Sequence, residues 1–318
     1  MSERSNVRPD ERAEARSDGR DPARVAAAVL HYDRPAGALA CVDSLLASTH
    51  APFDVAVVDN GSAPEALASL ETGLAARPGV ALVRLAPNRG YTGGMNAAFE
   101  HALATQADFV WLLTDDVRVA PDAMAAAVAA LRDQPQAGVG AALTYYADDP
   151  RRIWYAGGFV RPTRLGLARH RGLGEEDRGQ YSTPDVVDYA NGSSLFARRE
   201  VVARIGGLDE DYFMYWEDID WCQRAAEAGW QTLFVPGARV WHHVTPDAGD
   251  QLDRARLYDA RNRMLWHARH RPARRLPVLL WTLAAVPALA LKGRGREGWL
   301  QARGVFAYLG GSRGRMDV

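Results

Sequence analysis

The segment DFVWLLTDDV, residues 108–117, indicates the class of fold to which this chain belongs. Its first half is a short apolar run, which is typical of a strand in the interior of a sheet. Two acids, Asp115 and Asp116, stand where this run ends. Because ligands of parallel α/β sheets bind beyond the carboxyl ends of the strands, the segment predicts a buried strand that leads into a ligand site.

Three segments of the same kind precede this one along the chain. They are RVAAAVLHY (24–32), FDVAVVDNGS (53–62) and VALVRLAPNRGYTGG (80–94), the last of which runs into a glycine-rich loop. Helical patterns follow the four predicted strands, over residues 35–49, 64–76, 95–106 and 121–134. Strands that alternate with helices through short loops predict an α/β fold with a mostly parallel, Rossmann-like central sheet flanked by helices.

Polar side chains cluster where these four strands end. They are His31, Tyr32 and Asp33 after the first strand, Asp59 and Asn60 after the second, the stretch 88–96 after the third, and Asp115 and Asp116 after the fourth. The carboxyl ends of parallel strands meet at one edge of a sheet, so these groups are expected to share one site.

The pattern becomes less regular after Val139. Strands are predicted within WYAGGFV (154–160), VVDYANGSSLFARREVV (186–202) and QTLFVPGARVWHH (231–243), and a surface loop is predicted over the glycine- and charge-rich stretch 164–182. A further helix is predicted from about Glu217 to Ala228, with Gly229 as its stop.

The two ends of the chain differ from its centre. Residues 1–23 are polar and charged and lack an apolar core, which predicts a disordered tail and not a signal peptide. Residues 251–318 form a basic, partly apolar helical region with 14 Lys/Arg against 4 Asp/Glu. Its apolar run 276–291 has two prolines and is shorter than the roughly 20 residues that span a bilayer. This run either lies in a membrane interface, flanked by arginines, or packs as an ordinary apolar helix.

Composition excludes several classes of protein. The net charge is −1, which argues against nucleic acid as a partner. No Gly-Lys-Ser/Thr phosphate loop is present, and glycines 90, 93 and 94 do not have the spacing of a dinucleotide fingerprint. The two cysteines, Cys41 and Cys222, have neither metal-ligand nor disulfide spacing, which fits a reducing compartment.

Each motif at the strand ends has two interpretations when it is taken alone. Asp115 and Asp116 either hold a divalent cation through hard oxygen ligands, or cap the helix that starts near Pro121, or sit in a turn. Asp59 and Asn60 either form a turn or contact a nucleobase or ribose. The glycines of 88–96 offer backbone N–H groups to phosphate. His242 and its neighbour point to opposite faces of a strand, so at most one of them faces the site.

The stretch YFMYWEDIDWC, residues 212–222, places three acids among aromatic residues. A helix that begins near Glu217 would put Asp218 at its positive end, which favours an ionised general base beside aromatic pocket walls. The alternative is that the acids only cap this helix.

Taken together and in this order, the motifs resemble those of the inverting glycosyltransferase family 2, which has the GT-A fold. The residues that carry the resemblance are LHYDRP, VVDNGS, NRGYTGGMN, LLTDDV, YANGSSLFARREVV, GGLDEDYFMYWEDIDWCQRAAEAGW and VWHH, and they span roughly residues 24–265. Within this family, the motifs are similar to those of bacterial rhamnosyltransferases and galactofuranosyltransferases. The resemblance implies a GT-A catalytic domain over 24–250, followed by the helical region.

The resemblance also implies a role for individual residues. It assigns Tyr32, Asp33, Asp59, Asn88, Gly90, Asn96 and Asp115 to the nucleotide sugar, Asp116 and His242 to Mg²⁺ or Mn²⁺, Asp218 to the catalytic base with Glu217 beside it, and Asn191, Gly192, Trp216 and Glu217 to the acceptor. The sequence departs from the family pattern at Asp33, at Thr114 and in NGSS, and the last change leaves the acceptor open. Tyr258, Arg261 and Asn262 resemble a stretch that is common after the catalytic domain in the rhamnosyltransferase branch.

The implied activity is that of a metal-dependent inverting glycosyltransferase of the hexosyltransferase type. It would move a sugar from a nucleoside-diphosphate sugar, with dTDP-rhamnose as the first candidate, to an acceptor hydroxyl on a cell-envelope glycan or a lipid-linked saccharide. A small natural product is an alternative acceptor. A non-catalytic sugar-nucleotide-binding module and a nucleotidyltransferase are alternatives of another class. The implied location is the cytoplasm, with peripheral contact to the inner face of the cell membrane through the C-terminal region.

Overall fold

The computed structural model describes residues 22–161, 167–244 and 250–316. The predicted disordered tail therefore lies outside the described residues except for its last two positions, and so do positions 164–166 of the predicted surface loop.

The strands in the described part of the chain are β1 (Val25–His31), β2 (Phe53–Asn60), β3 (Ala81–Leu85), β4 (Phe109–Thr114), β5 (Val117–Val119), β6 (Ala137–Tyr146), β7 (Ile153–Tyr155), β8 (Gly158–Arg161), β9 (Leu167–His170), β10 (Asp185–Val187), β11 (Ser194–Arg198) and β12 (Gln231–His242). The helices are α1 (Pro35–Leu46), α2 (Pro64–Ala75), α3 (Gly90–Ala104), α4 (Ala123–Asp133), α5 (Arg199–Ile205), α6 (Glu217–Glu227), α7 (Asp250–His270), α8 (Pro272–Leu291) and α9 (Gly295–Leu309).

One central sheet organises the molecule, with the strand order β10-β12-β6-β11-β4-β1-β2-β3. The run β4-β1-β2-β3 is parallel throughout, as the alternation of strands and helices predicts. Strand β12 is parallel to β6, while β11 is antiparallel to both β4 and β6. The α/β class with a mostly parallel central sheet is therefore confirmed, and antiparallel strands join it after β4.

Alternation along β1 explains why helices cover both faces of the sheet. Ala26, Ala28 and Leu30 belong to one buried cluster, and the intervening Val25 and Val29 belong to a second cluster. Side chains of α1, α2 and α4 complete the second cluster, and those of α3, α5, α6 and α7 complete the first. A strand that is apolar on both faces has to be covered on both faces, because successive side chains point in opposite directions.

The glycine-rich loop is one place where the structure differs from the prediction. Helix α3 begins at Gly90 and not at residue 95, and at its start the Asn88 side chain accepts a hydrogen bond of 2.8 Å from the Gly90 N–H. Gly94 therefore lies inside the helix, and a Cβ there would come within 2.4 Å of Leu30. This glycine permits close packing of α3 on β1.

Two further predictions need correction. The stretch 164–182 is not only a loop, since β9 pairs with β8 in a two-stranded sheet. Asp115 and Asp116 do not cap α4, which begins at Ala123; they form the turn between β4 and β5. That turn is short because β5 pairs at once with the end of β12.

The apolar run of the C-terminal region is part of a longer helix than the sequence suggests. Helix α8 has 20 residues, with Pro277 and Pro287 inside it, so the prediction of a segment too short to span a bilayer is wrong. Its mean hydropathy of 1.4 allows a membrane-crossing helix by length and composition, and only 11% of it is buried. One such helix is weak evidence for a membrane span. Its two buried side chains, Val278 and Thr282, face the neighbouring helices.

Candidate functional site

A cleft of about 1270 Å³ lies at the carboxyl ends of β1, β2 and β4. The sequence-predicted site residues that line it are Tyr32, Asn88, Gly90, Asp116, Asn191, Gly192, Trp216, Glu217, Asp218 and His242. The strand ends that were expected to meet are thus brought together with α6 and the end of β12. A cleft of this size accommodates a ligand much larger than a single sugar.

Four predicted site residues do not line this cleft. Asp59 and Asp115 are buried next to its floor. Asp33 ties two loops together, since its carboxylate accepts a hydrogen bond of 2.7 Å from the Ala63 N–H. Asn96 joins α3 to the loop before α6 through hydrogen bonds of 2.9 and 2.7 Å with the backbone of Leu208. Asp33 and Asn96 therefore hold loops that border the site.

His31 occupies the space between the two buried carboxylates. Its Nδ1 lies 3.4 Å from Asp115 and its Nε2 lies 3.8 Å from Asp59. The ring is fully buried and makes no hydrogen bond within the described part of the chain. The sequence placed His31 at a strand end, but only the packing of β1 between β2 and β4 shows that it separates two acids.

Asp116 and His242 meet because β5 pairs with the last residues of β12. The Asp116 Oδ1 is 3.3 Å from His242 Nε2 and accepts a hydrogen bond of 2.5 Å from the Thr114 hydroxyl, while Oδ2 contacts Arg34 at 3.0 Å. Burial opposes ionisation of Asp116, but His242, Thr114 and Arg34 outweigh it and hold the pKa of Asp116 below its ordinary value. The carboxylate is therefore ionised at neutral pH.

The donor set of this pair fits a divalent cation that is shared with a bound ligand. A carboxylate and an imidazole with a buried, unpartnered Nδ1 supply two protein ligands. The described residues contain no cluster of three His, Cys, Asp or Glu side chains that could hold a metal. Mg²⁺ and Mn²⁺ take further oxygen ligands from water and from substrate phosphates, so a cation here would need such oxygens.

Glu217 and Asp218 open α6 at the centre of the cleft. Asp218 accepts hydrogen bonds from the backbone N–H groups of Gly192 (2.9 Å) and Ile219 (2.8 Å). Burial nevertheless raises the pKa of Asp218 to about 6, so desolvation outweighs the helix end that was expected to favour the ionised form. Burial, followed by the charge of Asp218, raises the pKa of Glu217 well above its ordinary value. Of the two neighbouring acids, Glu217 keeps its proton and Asp218 ionises.

The third acid of this stretch, Asp220, has a structural environment. It contacts Arg224 and His270 at 2.8 Å and accepts a hydrogen bond of 3.0 Å from the Tyr212 hydroxyl. Burial opposes its ionisation, but His270 and Arg224 lower the pKa of Asp220 below its ordinary value. It points away from the cleft and joins α6 to α7.

The loop before Glu217 has an unusual backbone. Phe213, Tyr215 and Trp216 have φ angles of 64°, 65° and 74°, in the left-handed region that costs side-chain-bearing residues roughly 1–2 kcal/mol each. Asn262 holds this loop, because its amide donates hydrogen bonds to the carbonyls of residues 212, 214 and 215 at 2.7–3.0 Å. The neighbouring Arg261 binds the carbonyls of residues 211 and 212 at 3.0 and 2.8 Å. The resemblance to the rhamnosyltransferase branch pointed to both residues, but it gave no physical reason for their presence.

Several cleft residues are visible only in the structure. Trp154, His170 and Tyr189 form one wall, and burial lowers the pKa of His170 to about 4, which keeps this imidazole neutral. The Tyr91 hydroxyl donates a hydrogen bond of 2.5 Å to the carbonyl of Gly192, beside the backbone N–H that binds Asp218. These side chains lie on separate elements, and no spacing in the sequence links them.

The comparisons with known proteins agree on one family. The family described as "Glycosyltransferase like family 2" matches residues 22–262. The chain is 29% identical over 266 residues to N-acetylglucosaminyl-diphospho-decaprenol L-rhamnosyltransferase of Mycobacterium tuberculosis, covering 77% of this chain and 84% of that protein. It is 26% identical over 270 residues to galactofuranosyltransferase GlfT2 of Mycolicibacterium smegmatis, covering 78% of this chain and 41% of that protein.

Solved structures show the same type of fold. The mannosyltransferase PcManGT from Pyrobaculum calidifontis, in complex with GDP-Man and Mn²⁺, superposes with a TM-score of 0.59. The two chains are 16% identical, and the match covers 91% of this chain and 87% of the other. This likeness confirms the GT-A fold.

The substitution Glu217→Gln tests whether Glu217 is protonated in the folded protein. Above pH 4.5, the ordinary pKa of a glutamate, the unfolded chain loses this proton, whereas folding raises the pKa of Glu217 so that the folded protein still holds it. Folding therefore has to take up a proton, and its free energy becomes less favourable as the pH rises. We expect the amide to raise the melting temperature by about 2–4 °C near pH 7.5, the shift that roughly 1 kcal/mol produces in a chain of this size, and to leave it unchanged near pH 4. Differential scanning calorimetry with exposed Glu100→Gln as control measures this, and an equal gain at both pH values would contradict it.

The substitution Asn262→Ala tests the support of the left-handed loop. It removes the amide that the carbonyls of residues 212, 214 and 215 share, although the carbonyl of residue 212 keeps Arg261 as a donor, so we expect a loss of about 2–4 kcal/mol in stability. Hydrogen exchange should become faster in peptides covering residues 209–218 before it changes elsewhere. Gln223→Ala, which removes an amide from the surface of α6, is the matched control. Exchange that rises evenly across the chain would show that Asn262 supports only global stability.

Proposed function

This chain belongs to glycosyltransferase family 2, and from that premise we propose that it transfers a sugar from a nucleoside-diphosphate sugar to an acceptor hydroxyl with inversion at the anomeric carbon. It is a glycosyltransferase related to the rhamnosyltransferases and galactofuranosyltransferases of cell-envelope synthesis. The observation that carries the proposal is one half-buried carboxylate, Asp218, in the same cleft as the ionised Asp116 and His242. A general base and a cation site in one cleft meet the two demands of this reaction, proton removal and stabilisation of the departing diphosphate.

The donor is proposed to occupy the side of the cleft formed by β1, β2 and the start of α3. Tyr32, Asn88 and Gly90 line the cleft there, and Asp59 and Asp115 are buried next to them with His31 between them. The proposed donor is dTDP-rhamnose, because the rhamnosyltransferase relative covers most of both chains.

Asp218 is proposed to take the proton from the acceptor hydroxyl. Its two oxygens each accept one backbone N–H, and a carboxylate retains further lone pairs for the acceptor. The acceptor oxygen then attacks the anomeric carbon on the face opposite the leaving diphosphate, which inverts the configuration. Glu217, which is neutral, is proposed to orient the acceptor by hydrogen bonding.

A divalent cation, Mg²⁺ or Mn²⁺, is proposed to be held by Asp116 and His242. When bound, it would neutralise charge on the diphosphate. Arg34 bridges Asp115 and Asp116 and keeps the Asp116 carboxylate in position.

The acceptor is proposed to be a cell-envelope glycan or lipid-linked saccharide that enters past Asn191, Gly192 and Trp216. The C-terminal helices support a location at the cytoplasmic face of the membrane. Helices α8 and α9 expose several large apolar side chains: Leu276, Leu280, Trp281, Leu291, Trp299, Phe306 and Leu309. Arginines at 274, 275, 294 and 296 flank this face, which suits an anionic lipid surface.

The substitution Asp218→Asn tests the base. We expect the rate of transfer to fall by about 10²–10⁴, because the amide cannot accept the proton, while binding of the nucleotide sugar is preserved. Release of nucleoside diphosphate with Mn²⁺, donor and a lipid-linked acceptor measures this. Asp220→Asn is the control, since its loss should lower stability and leave turnover per folded molecule nearly unchanged. Transfer at the wild-type rate by Asp218→Asn would exclude this residue as the base.

The pKa of Asp218 also predicts the pH profile. An acid with a pKa of about 6 is active as a base only above that pH, so the turnover number should fall about tenfold per unit below pH 6. A turnover number that stays constant between about pH 5 and 7 would contradict this assignment.

The metal assignment is tested by binding. Asp116→Asn and His242→Ala should each weaken Mn²⁺ bound together with a nucleoside diphosphate by about tenfold or more. Electron paramagnetic resonance of free Mn²⁺ measures this affinity without turnover. In a separate assay, chelation of the metal should abolish sugar transfer by the wild type. His101→Ala is the matched control, because His101 lies on α3 and does not line the cleft. An equal loss with His101→Ala would argue against the assigned pair.

A further inference from the structure

The last described residues of the chain form part of the cleft wall. Arg315 and Met316 line the cleft beside Tyr258 of α7. Three backbone contacts fix this segment: the Met316 N–H donates to the Tyr258 hydroxyl (2.7 Å), Arg261 binds the Gly314 carbonyl (2.7 Å), and the Gly314 N–H donates to the Asp211 carbonyl (2.8 Å). The C-terminal segment is thus anchored to Arg261 of α7, which also binds the loop before Asp218.

A second arginine of this wall, Arg254, comes from the first turns of α7. The start of α7 is fixed to the start of α9, because Arg256 contacts Glu297 at 3.0 Å and Arg296 contacts Asp253 at 2.6 Å. Arg254 itself is exposed and faces the cleft. The charges of Arg254 and Arg315 both lower the pKa of Tyr258, against burial, which raises it. Arg254 stands four residues before Tyr258 in α7, and Arg315 precedes Met316, whose N–H binds the Tyr258 hydroxyl, so both arginines border the same phenol.

These two arginines differ from their neighbours in their partners. In the C-terminal helices Arg256, Arg269, Arg294 and Arg296 all form ion pairs. Arg254 and Arg315 form none with the carboxylates that the structure describes, although both line the cleft. The third arginine of the lining, Arg34, is already bound to Asp115 and Asp116. Two cations without a carboxylate partner face the space that an anionic ligand would fill.

We propose that Arg254 and Arg315 form a diphosphate-binding pair that the C-terminal region contributes to the cleft. This inference rests on the proposed function, in which the donor and a lipid-linked acceptor each carry a diphosphate. Paired guanidinium groups bind phosphate oxygens in a bidentate manner and with charge-assisted hydrogen bonds. The ring of Tyr258 stacks on Phe213 with 5.6 Å between the ring centroids. The two arginines beside Tyr258 therefore lie next to the loop that precedes Asp218.

The test compares diphosphate binding by the full chain and its variants by isothermal titration calorimetry. The variants are Arg254→Gln, Arg315→Gln and the double variant, with Arg313→Gln as the matched control, because Arg313 lies in the same segment and stacks on Tyr308 outside the cleft lining. One probe is dTDP with Mn²⁺, with UDP and GDP as alternatives. The other is farnesyl diphosphate with a chelator present, and farnesol is its uncharged partner.

We expect the double variant to bind one of the two diphosphate probes with an affinity lower by about tenfold or more, while its affinity for farnesol stays unchanged. If only the affinity for dTDP falls, the two arginines bind the diphosphate of the donor. If only the affinity for farnesyl diphosphate falls, they bind the diphosphate of the acceptor. Arg254→Lys and Arg315→Lys should recover part of the affinity, because the charge remains and the bidentate geometry is lost.

The proposal is overturned if the double variant binds every diphosphate that the wild type binds within about twofold of the Arg313→Gln control. It is also overturned if the wild type binds no diphosphate at all. The proposed function fails separately, if the wild type with Mn²⁺ releases no nucleoside diphosphate from any nucleotide sugar while farnesyl diphosphate still binds through the two arginines.

Discussion

The contact on which the cleft depends most is the hydrogen bonding of Asn262 to the carbonyls of the loop before α6. Left-handed residues at 213, 215 and 216 are costly, and they persist only where surrounding structure determines them. Asn262 is fully buried and reaches the loop from α7. The position of Glu217 and Asp218 is therefore set by a helix that follows them by more than thirty residues in the chain.

Four carboxylates near this site share one chemistry and have four different environments. Asp116 is ionised by His242, Thr114 and Arg34, and Asp220 is held ionised by His270 and Arg224. Burial raises the pKa of Asp218 to about 6, because its backbone N–H partners offset only part of the desolvation, and burial raises the pKa of Glu217 well above its ordinary value. In the proposed mechanism, this separation of pKa values lets one cleft combine cation binding, proton removal and hydrogen-bond donation at the same pH.

The C-terminal region contributes to the cleft as well as to the exposed apolar face. Trp216 donates a hydrogen bond of 2.8 Å to Asp259, and His270 contacts Asp220. Met264, Leu265 and Trp266 belong to the same buried cluster as α6. Helix α7, which packs against α8 and α9, thus links the helices that are proposed to contact a membrane to the elements that hold the proposed catalytic carboxylate.

The sequence determined the α/β class, the four parallel strands and the polar residues at their ends, because periodicity and strand-end position are local properties. It also placed Asp218 at the start of α6, since an acid-rich helix start is readable from spacing. It did not determine that α3 begins at Gly90, that α8 has 20 residues, or that Asp59 and Asp115 flank a buried His31. Those outcomes depend on side chains from distant segments that meet only on folding. Tertiary structure alone decided which acids ionise, because a pKa is set by burial and by partners that no stretch of sequence contains.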